Sequence, residues 1–301
     1  MEVLLKSYHA TKLKRKRHPN WTTAYIMILP LIFLLVGLVL YPILWNISIS
    51  FQSKGGDLLA NYREILASDL FDQVTGNVIV WVVSCVILDL IVGLSVAVLL
   101  NQAVPGIAFF RAIILVLPWA TPDVVSAVAW KWIYSDLYGV INDILWRLNL
   151  ITTPIPWLGQ ISTAMPSVIV ANLWRGFSLS AMFYLAGLQT LPNELVEAAR
   201  MDGAGRLNIF RYVMIPHLRP TIIVTFVLTI ILTMNFFPLI YIMTKGGPSA
   251  STETFVTWAY RVGFTFLDFP KSAAISTISF IVILFFASIY AWRFTSSEDR
   301  V

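Results

Sequence analysis

Long apolar runs alternate with short polar intervals along most of the chain. The runs at 24–45, 74–100, 107–132, 163–188, 219–243 and 270–293 each reach or exceed the roughly 20 residues that a helix needs to cross a bilayer. Inside hydrocarbon a segment must satisfy its own backbone hydrogen bonds, so the runs predict helices. The chain therefore reads as an all-α, polytopic integral membrane protein of about six transmembrane helices. The polar intervals differ in character. Residues 46–72 are mildly acidic, with Asp57, Glu64, Asp69 and Asp72 against Lys54 and Arg63. The stretch 134–161 carries Trp146, Trp157, Pro154 and Pro156, the composition of a segment resting at a membrane interface. Residues 191–220 form the most charged interruption of the apolar second half.

Composition supports this independently. Hydrophobic residues make up 58% of the 301 and charged residues 12%, with a mean hydropathy of +0.77; soluble domains carry roughly 25% charge. The single cysteine, Cys85, excludes a disulfide framework, and His9, His18 and His217 are too scattered for a metal site. A formal net charge of +5 could suggest nucleic acid, but the cations flank the apolar runs and topology explains them better. Residues 1–20 carry Lys6, Lys12, Lys14, Arg15, Lys16 and Arg17, a basic tail directly before the first apolar run. That run exceeds the ~7–15 residues of a signal-peptide core and is read as an uncleaved span. Counting cations places the tail, Arg111, the 191–220 interval and the C-terminal Arg293 and Arg300 on the cytoplasmic side. The division is then a basic cytoplasmic tail, 1–20, and a transmembrane domain, 21–301, with a cytoplasmic hairpin at 191–220.

The hairpin has its own local logic. Pro192 suits a helix start, Asn193 suits a cap, and Glu194 and Glu197 place negative charge near the positive end of a helix over Glu194–Met201. Asp202-Gly203-Ala204-Gly205 ends it, and a second amphipathic segment is expected from Arg206 until Pro216. Charge pattern alone is equally compatible with two short helices lying on the membrane surface.

Glu197-Ala198-Ala199, three residues, Gly203, nine residues, and Val213-Met214-Ile215-Pro216 resemble the EAA signature of the permeases of ABC importers. A second likeness, Thr244-Lys245-Gly246-Gly247-Pro248, is similar to the Thr-x-Gly-Gly-Pro of the maltose-type, carbohydrate-importing branch. With Asn101, Arg111-x6-Pro118 and Leu185-Ala186-Gly187-Leu188-Gln189, the resemblance covers nearly all of 24–293. It implies the type I ABC importer permease fold in the bacterial inner membrane. It also implies a coupling hairpin in which Glu197, Ala198, Ala199, Asp202 and Gly203 engage an ATPase. The implied partners are a second homologous permease forming a heterodimer, two ATPase subunits, a periplasmic solute-binding protein, a sugar or sugar derivative as substrate, and membrane lipid. The chain has no Gly-x-x-x-x-Gly-Lys-[Ser/Thr], so it holds no P-loop of its own. ATP and Mg would be bound by the partner subunits, with no cofactor or catalytic residue in this chain.

Pathway residues are sought in mid-membrane. Pro118 and Pro122 are expected to interrupt the third span, and broken helices line cavities rather than face lipid. Trp174 and Asn235 are candidates to stack on and hydrogen-bond a sugar. Arg175 sits near the centre of the fourth span, where an unpaired guanidinium costs ~2.5–3.5 kcal/mol. Counting along the axis places Asp89 about 3 Å to its cytoplasmic side and Asp123 about 5 Å to its outer side, so either could be its partner if the helices are neighbours. The rival role is contact with an anionic substrate. A different class, a secondary transporter or channel, would use Asp89, Asp123 and Arg175 as an ion relay.

Overall fold

The computed structural model describes residues 21–298, apart from 54, 55, 103 and 104; the basic tail lies outside the described residues. It is helical throughout, with no strand among the described residues. The chain divides into two compact units at Ser48/Ile49. The first contributes most of α1 (Tyr25–Ser50), whose apolar stretch is entirely unburied within the chain.

The second unit holds the remaining spans. A short helix α2 (Ala60–Leu66) precedes α3 (Asp69–Leu100), whose first turn carries Asp69 and Asp72 at the positive helix end. Then come α4 (Ile107–Ala120), α5 (Asp123–Ile133), α6 (Val140–Arg147) and α7 (Ile161–Gln189). The hairpin helix α8 (Asn193–Met201) leads into α9 (Arg206–Met243), and α10 (Phe255–Tyr260) and α11 (Phe269–Glu298) follow. Four helices are long and apolar enough to cross a bilayer alone: α1, α3, α7 and α9. The bent pair α4–α5 supplies a fifth, and α11 carries a shorter apolar stretch, Phe269–Phe285.

Prolines shape these helices in two ways. A proline inside a helix lacks its N–H and clashes with the carbonyl four residues back. Pro42, Pro118 and Pro216 each follow a single π turn, at Val36–Leu40, Ala112–Val116 and Phe210–Met214. In each case the residue four back lies within the widened turn, which makes room for the ring. The preceding residues Tyr41, Leu117 and Ile215 accordingly stay helical. Pro122 behaves differently. Thr121 before it adopts ψ 125°, the extended conformation that a following proline favours, and the chain turns by 98° between α4 and α5. Of the two prolines expected to interrupt the third span, Pro122 alone breaks it. Pro216 likewise does not end the segment that begins at Arg206, which runs on into the fifth span.

The centre of the unit is the seam between α3 and α7. Asp89, Gly93 and Ala97 recur every fourth residue on α3 and face Gly176, Ser180 and Ala181 of α7. A Cβ on Gly93 would lie 2.7 Å from Ser180 Cβ and 3.0 Å from the Ala181 nitrogen, so the backbones meet there without intervening side chains. Three buried apolar clusters surround the seam. Ala97, Leu100, Tyr184 and Leu218 pack toward the hairpin end. Trp81, Val168 and Ile240 lie in a second cluster, and Ile65, Val74, Trp258 and Ile275 in a third. Arg111 closes the hairpin end of α3 by donating from Nε and Nη2 to the Leu100 carbonyl at 3.1 and 2.8 Å.

The loop 244–254 is fastened to the first turns of α3. Gln73 donates to the Ser249 carbonyl at 2.8 Å, and Asn77 donates to those of Ala250 and Glu253 at 2.7 and 3.0 Å. Gly246, at φ +86°, lies so close to Glu253 that a Cβ would meet Oε2 at 2.7 Å. Glu253 is buried and pairs with Arg261 at 3.0 Å. Burial pushes its carboxyl above the ordinary value of 4.5, against the opposing effects of Arg261 and a hydrogen bond from Thr257.

The seam predicts a sharp contrast between two glycines of α3. Gly93→Val should destabilise the purified chain by about 1–3 kcal/mol, since the added atoms have nowhere to go. Gly76→Ala, where nothing lies within 4 Å, should be neutral or stabilising. Thermal unfolding in nanodiscs reads both, and equal melting temperatures for the two variants would refute the close contact.

Candidate functional site

Two places gather the candidate residues. The first is the hairpin. Asn193 is the first helical residue of α8 rather than its cap; Pro192, extended at ψ 129°, holds the cap position. The turn that follows is a Schellman motif. Ala204 donates to the Ala199 carbonyl at 2.9 Å and Gly203 to the Arg200 carbonyl at 3.0 Å, satisfying carbonyls that the helix end leaves open. Gly203 occupies the left-handed position at φ +81°, with open space where a Cβ would be. Its requirement is conformational, not steric. Glu197, Ala198, Asp202 and Gly203 are exposed and Ala199 is half-buried. Met201 and Leu207 stand 88% and 75% exposed, so the turn presents apolar side chains that no described residue covers. Behind the turn lies a groove of about 1240 Å³, walled by Leu188, Val196, Arg200, Arg206 and Phe210.

The second place is the break in the third span. Asp123 is the first residue of α5, where a carboxylate meets the positive end of a helix. Arg175 Nη2 lies 2.7 Å from Asp123 Oδ1, which decides between the two expected partners. Asp89 forms no ion pair among the described residues. It is buried on α3 with its Oδ2 pressed against Gly176 and its Oδ1 without a hydrogen bond. Axial distance left either aspartate within reach, but the two approach α7 at successive residues, Gly176 and Arg175, which point about 100° apart around a helix. The Arg175–Asp123 contact is close yet poorly aligned, leaving Arg175 Nε and Asp123 Oδ1 without hydrogen-bond partners.

The guanidinium carbon also sits 5.3 Å from the centre of the Phe236 ring, a cation–π distance. Phe236 belongs to a second break, at Asn235–Phe237 between Met234 and Pro238 of α9. Asn235 is exposed there and donates to the Ile231 carbonyl at 3.2 Å. Trp174 stands edge-on to Trp130 with centroids 6.5 Å apart. Arg175 thus joins Asp123 and Phe236, whereas the interactions seen for Asn235 and Trp174 are with Ile231 and Trp130. Phe236 and the second break were absent from the sequence expectations. The signal was available in Pro238, which has no N–H to continue the helix from Met234, although Phe237 before it keeps helical angles, φ −97° and ψ −48°.

An all-helical chain with a broken third span and a glycine-turned hairpin is the architecture of an importer permease. Residues 26–294 match the family described as the binding-protein-dependent transport system inner membrane component, and this chain belongs to it. It is 33% identical over 273 residues to the trehalose/maltose transport system permease protein MalF of Thermococcus litoralis, covering 88% of this chain and 91% of that one. It is 28% identical to the sulfoquinovosyl glycerol transport system permease protein SmoG of Agrobacterium fabrum, covering 93% and 95%. The fold is that of a chain in the crystal structure of a bacterial ABC transporter involved in the import of the acidic polysaccharide alginate. That likeness has a TM-score of 0.79 at 20% identity, over 89% of this chain and 95% of the other.

The geometry assigns Arg175 to Asp123 and makes a specific rescue expected. Arg175→Ala should lower the unfolding free energy by roughly 1–3 kcal/mol, below the ~3–5 kcal/mol of a fully buried pair because both side chains are partly exposed. Adding Asp123→Asn should restore most of the loss by removing the stranded carboxylate, and adding Asp89→Asn should not. Membrane yield and thermal unfolding measure both, and rescue through Asp89 would overturn the pairing.

Proposed function

We propose that this chain is the translocating subunit of an ATP-driven ABC importer for a sugar or sugar derivative, working beside a second, homologous permease. Two separate ATPase subunits bind ATP and Mg and supply the energy, and a binding protein delivers the sugar to the outer face. The N-terminus is cytoplasmic, on the same side as the hairpin. The sugar class is supported by relatives whose names carry trehalose/maltose, lactose and sulfoquinovosyl glycerol.

The single observation that carries the mechanism is the continuity of α9. From Arg206, immediately after the hairpin turn, the helix runs to Met234 with one π turn and no break. At ~1.5 Å per residue this is a rod of roughly 43 Å. One end holds the exposed turn that docks on the ATPase through Glu197, Ala198, Ala199, Asp202 and Gly203. The other ends at Asn235–Phe237, whose Phe236 lies against Arg175. Closure of the ATPases displaces the turn, the rod carries the displacement, and the break converts it into movement at the Arg175–Asp123 pair. Asp123, Trp174, Arg175 and Asn235 line the route that opens. A charged pair with close to a third of its side-chain surface exposed fits a water-filled cavity and not lipid.

Coupling and pathway are tested separately. Glu197→Lys or Gly203→Asp should reduce uptake more than tenfold at unchanged membrane level, with the ATPase lost on purification. An ATPase that still co-purifies in normal yield and still responds to the binding protein would contradict the docking role.

For the pathway, Thr121 is half-buried at the break and Ser126 is buried. With Cys85 replaced by alanine, Thr121→Cys should react with a small neutral hydrophilic thiol reagent at least tenfold faster than Ser126→Cys. An inert Thr121→Cys in every nucleotide state would remove the break from the route.

A further inference from the structure

We propose that the mid-membrane site is built for neutral, polyhydroxylated sugars and discriminates against anionic ones, with Asp123 as the residue that sets this selectivity. The inference rests on the pathway reading above and concerns its charge. Arg175 alone would be an anion site, since a guanidinium in a partly dry cavity binds a carboxylate, sulfonate or phosphate through paired hydrogen bonds. It is not alone. Asp123 Oδ1 lies 2.7 Å from Arg175 Nη2, and the two side chains are 30% and 28% exposed, so the charges cancel at the surface that a ligand would meet. Asp89 is buried against Gly176 and adds no competing carboxylate to the pair.

An anionic sugar would have to separate the pair, leaving the Asp123 carboxylate beside its own charge with no counter-ion. A neutral sugar meets no such obstacle. Adjacent hydroxyls can donate to the carboxylate and accept from the guanidinium at once, because a hydroxyl is both donor and acceptor. Both side chains keep part of their surface exposed, so each partner can still meet a hydroxyl without the pair separating. Phe236, already under the guanidinium at 5.3 Å, supplies an apolar face beside these polar groups, and the exposed Asn235 amide adds a donor and an acceptor at the same break. Polar groups without net charge next to an aromatic ring form a surface suited to a sugar's alternating C–H and O–H edges.

The test uses matched pairs that differ by one carboxylate: glucose with glucuronate, and galactose with galacturonate. Membranes carrying the assembled importer, washed free of binding protein, are labelled at Thr121→Cys with a neutral thiol reagent in the Cys85→Ala background. Glucose or galactose should protect at least tenfold better than its uronate. Asp123→Asn should shift that ratio at least tenfold toward the uronate, by freeing Arg175. Asp123→Asn combined with Arg175→Gln, which removes both charges and strands neither, should return the ratio to within threefold of the parent. Equal or better protection by the uronates in the parent, or a ratio unmoved by Asp123→Asn, overturns the selectivity. Absence of protection by all four sugars at a reactive Thr121→Cys overturns the pathway assignment itself and is distinguishable from both.

Discussion

A guanidinium in the middle of a membrane must be compensated, and the way this chain compensates Arg175 organises the rest of it. Asp123 can reach Arg175 because the third span breaks after Ala120 and restarts at Asp123, which places the carboxylate at a helix start. Phe236 can lie against the same guanidinium because the fifth span breaks at Asn235–Phe237. One side chain on the continuous helix α7 therefore ties together the two interrupted helices. Breaks in a membrane helix are costly unless protein or water satisfies the freed backbone groups. Both breaks converge on the same charged group, which is the arrangement expected where a polar substrate must pass.

Around this group the packing is close. The α3–α7 seam brings two backbones together at Gly93 with no room for a side chain between them. Pro216 is absorbed by a π turn and does not interrupt its helix, so α9 stays continuous from Arg206 to its break. In the proposed coupling, a long rod with a break near Arg175 gives a displacement at the hairpin a direct route to that break.

Much of this was legible in the residues. Hydropathy located the spans, because composition over about 20 residues is what a bilayer selects. The hairpin turn was legible from Asp202-Gly203-Ala204-Gly205, since a left-handed position calls for glycine. What the linear chain did not reveal was azimuth. Counting along the axis put Asp89 and Asp123 on opposite sides of Arg175, each within its reach, and only the packing of Asp89 against Gly176 and of Asp123 against Arg175 separates them. Nor did the prolines declare their effects. Pro118, Pro122 and Pro216 have the same local chemistry, yet a widened turn preserves the helix at two of them, while at Pro122 the residue before is extended. The ion pair between Glu253 and Arg261 was also not expected, because Gly246 and Glu253 meet only when the 244–254 loop folds back on itself.

The central claim is that a sugar passes the Arg175–Asp123 pair while the hairpin is held by the ATPase. A cryo-electron microscopy structure of the assembled importer, trapped with a non-hydrolysable ATP analogue and transported sugar, tests it most directly. The account predicts sugar density within hydrogen-bonding distance of Arg175 or Asp123, beside Phe236, with residues 197–203 seated in a cleft of the ATPase. Sugar bound along other helices, with the pair sealed inside protein and the turn free of the ATPase, would contradict it.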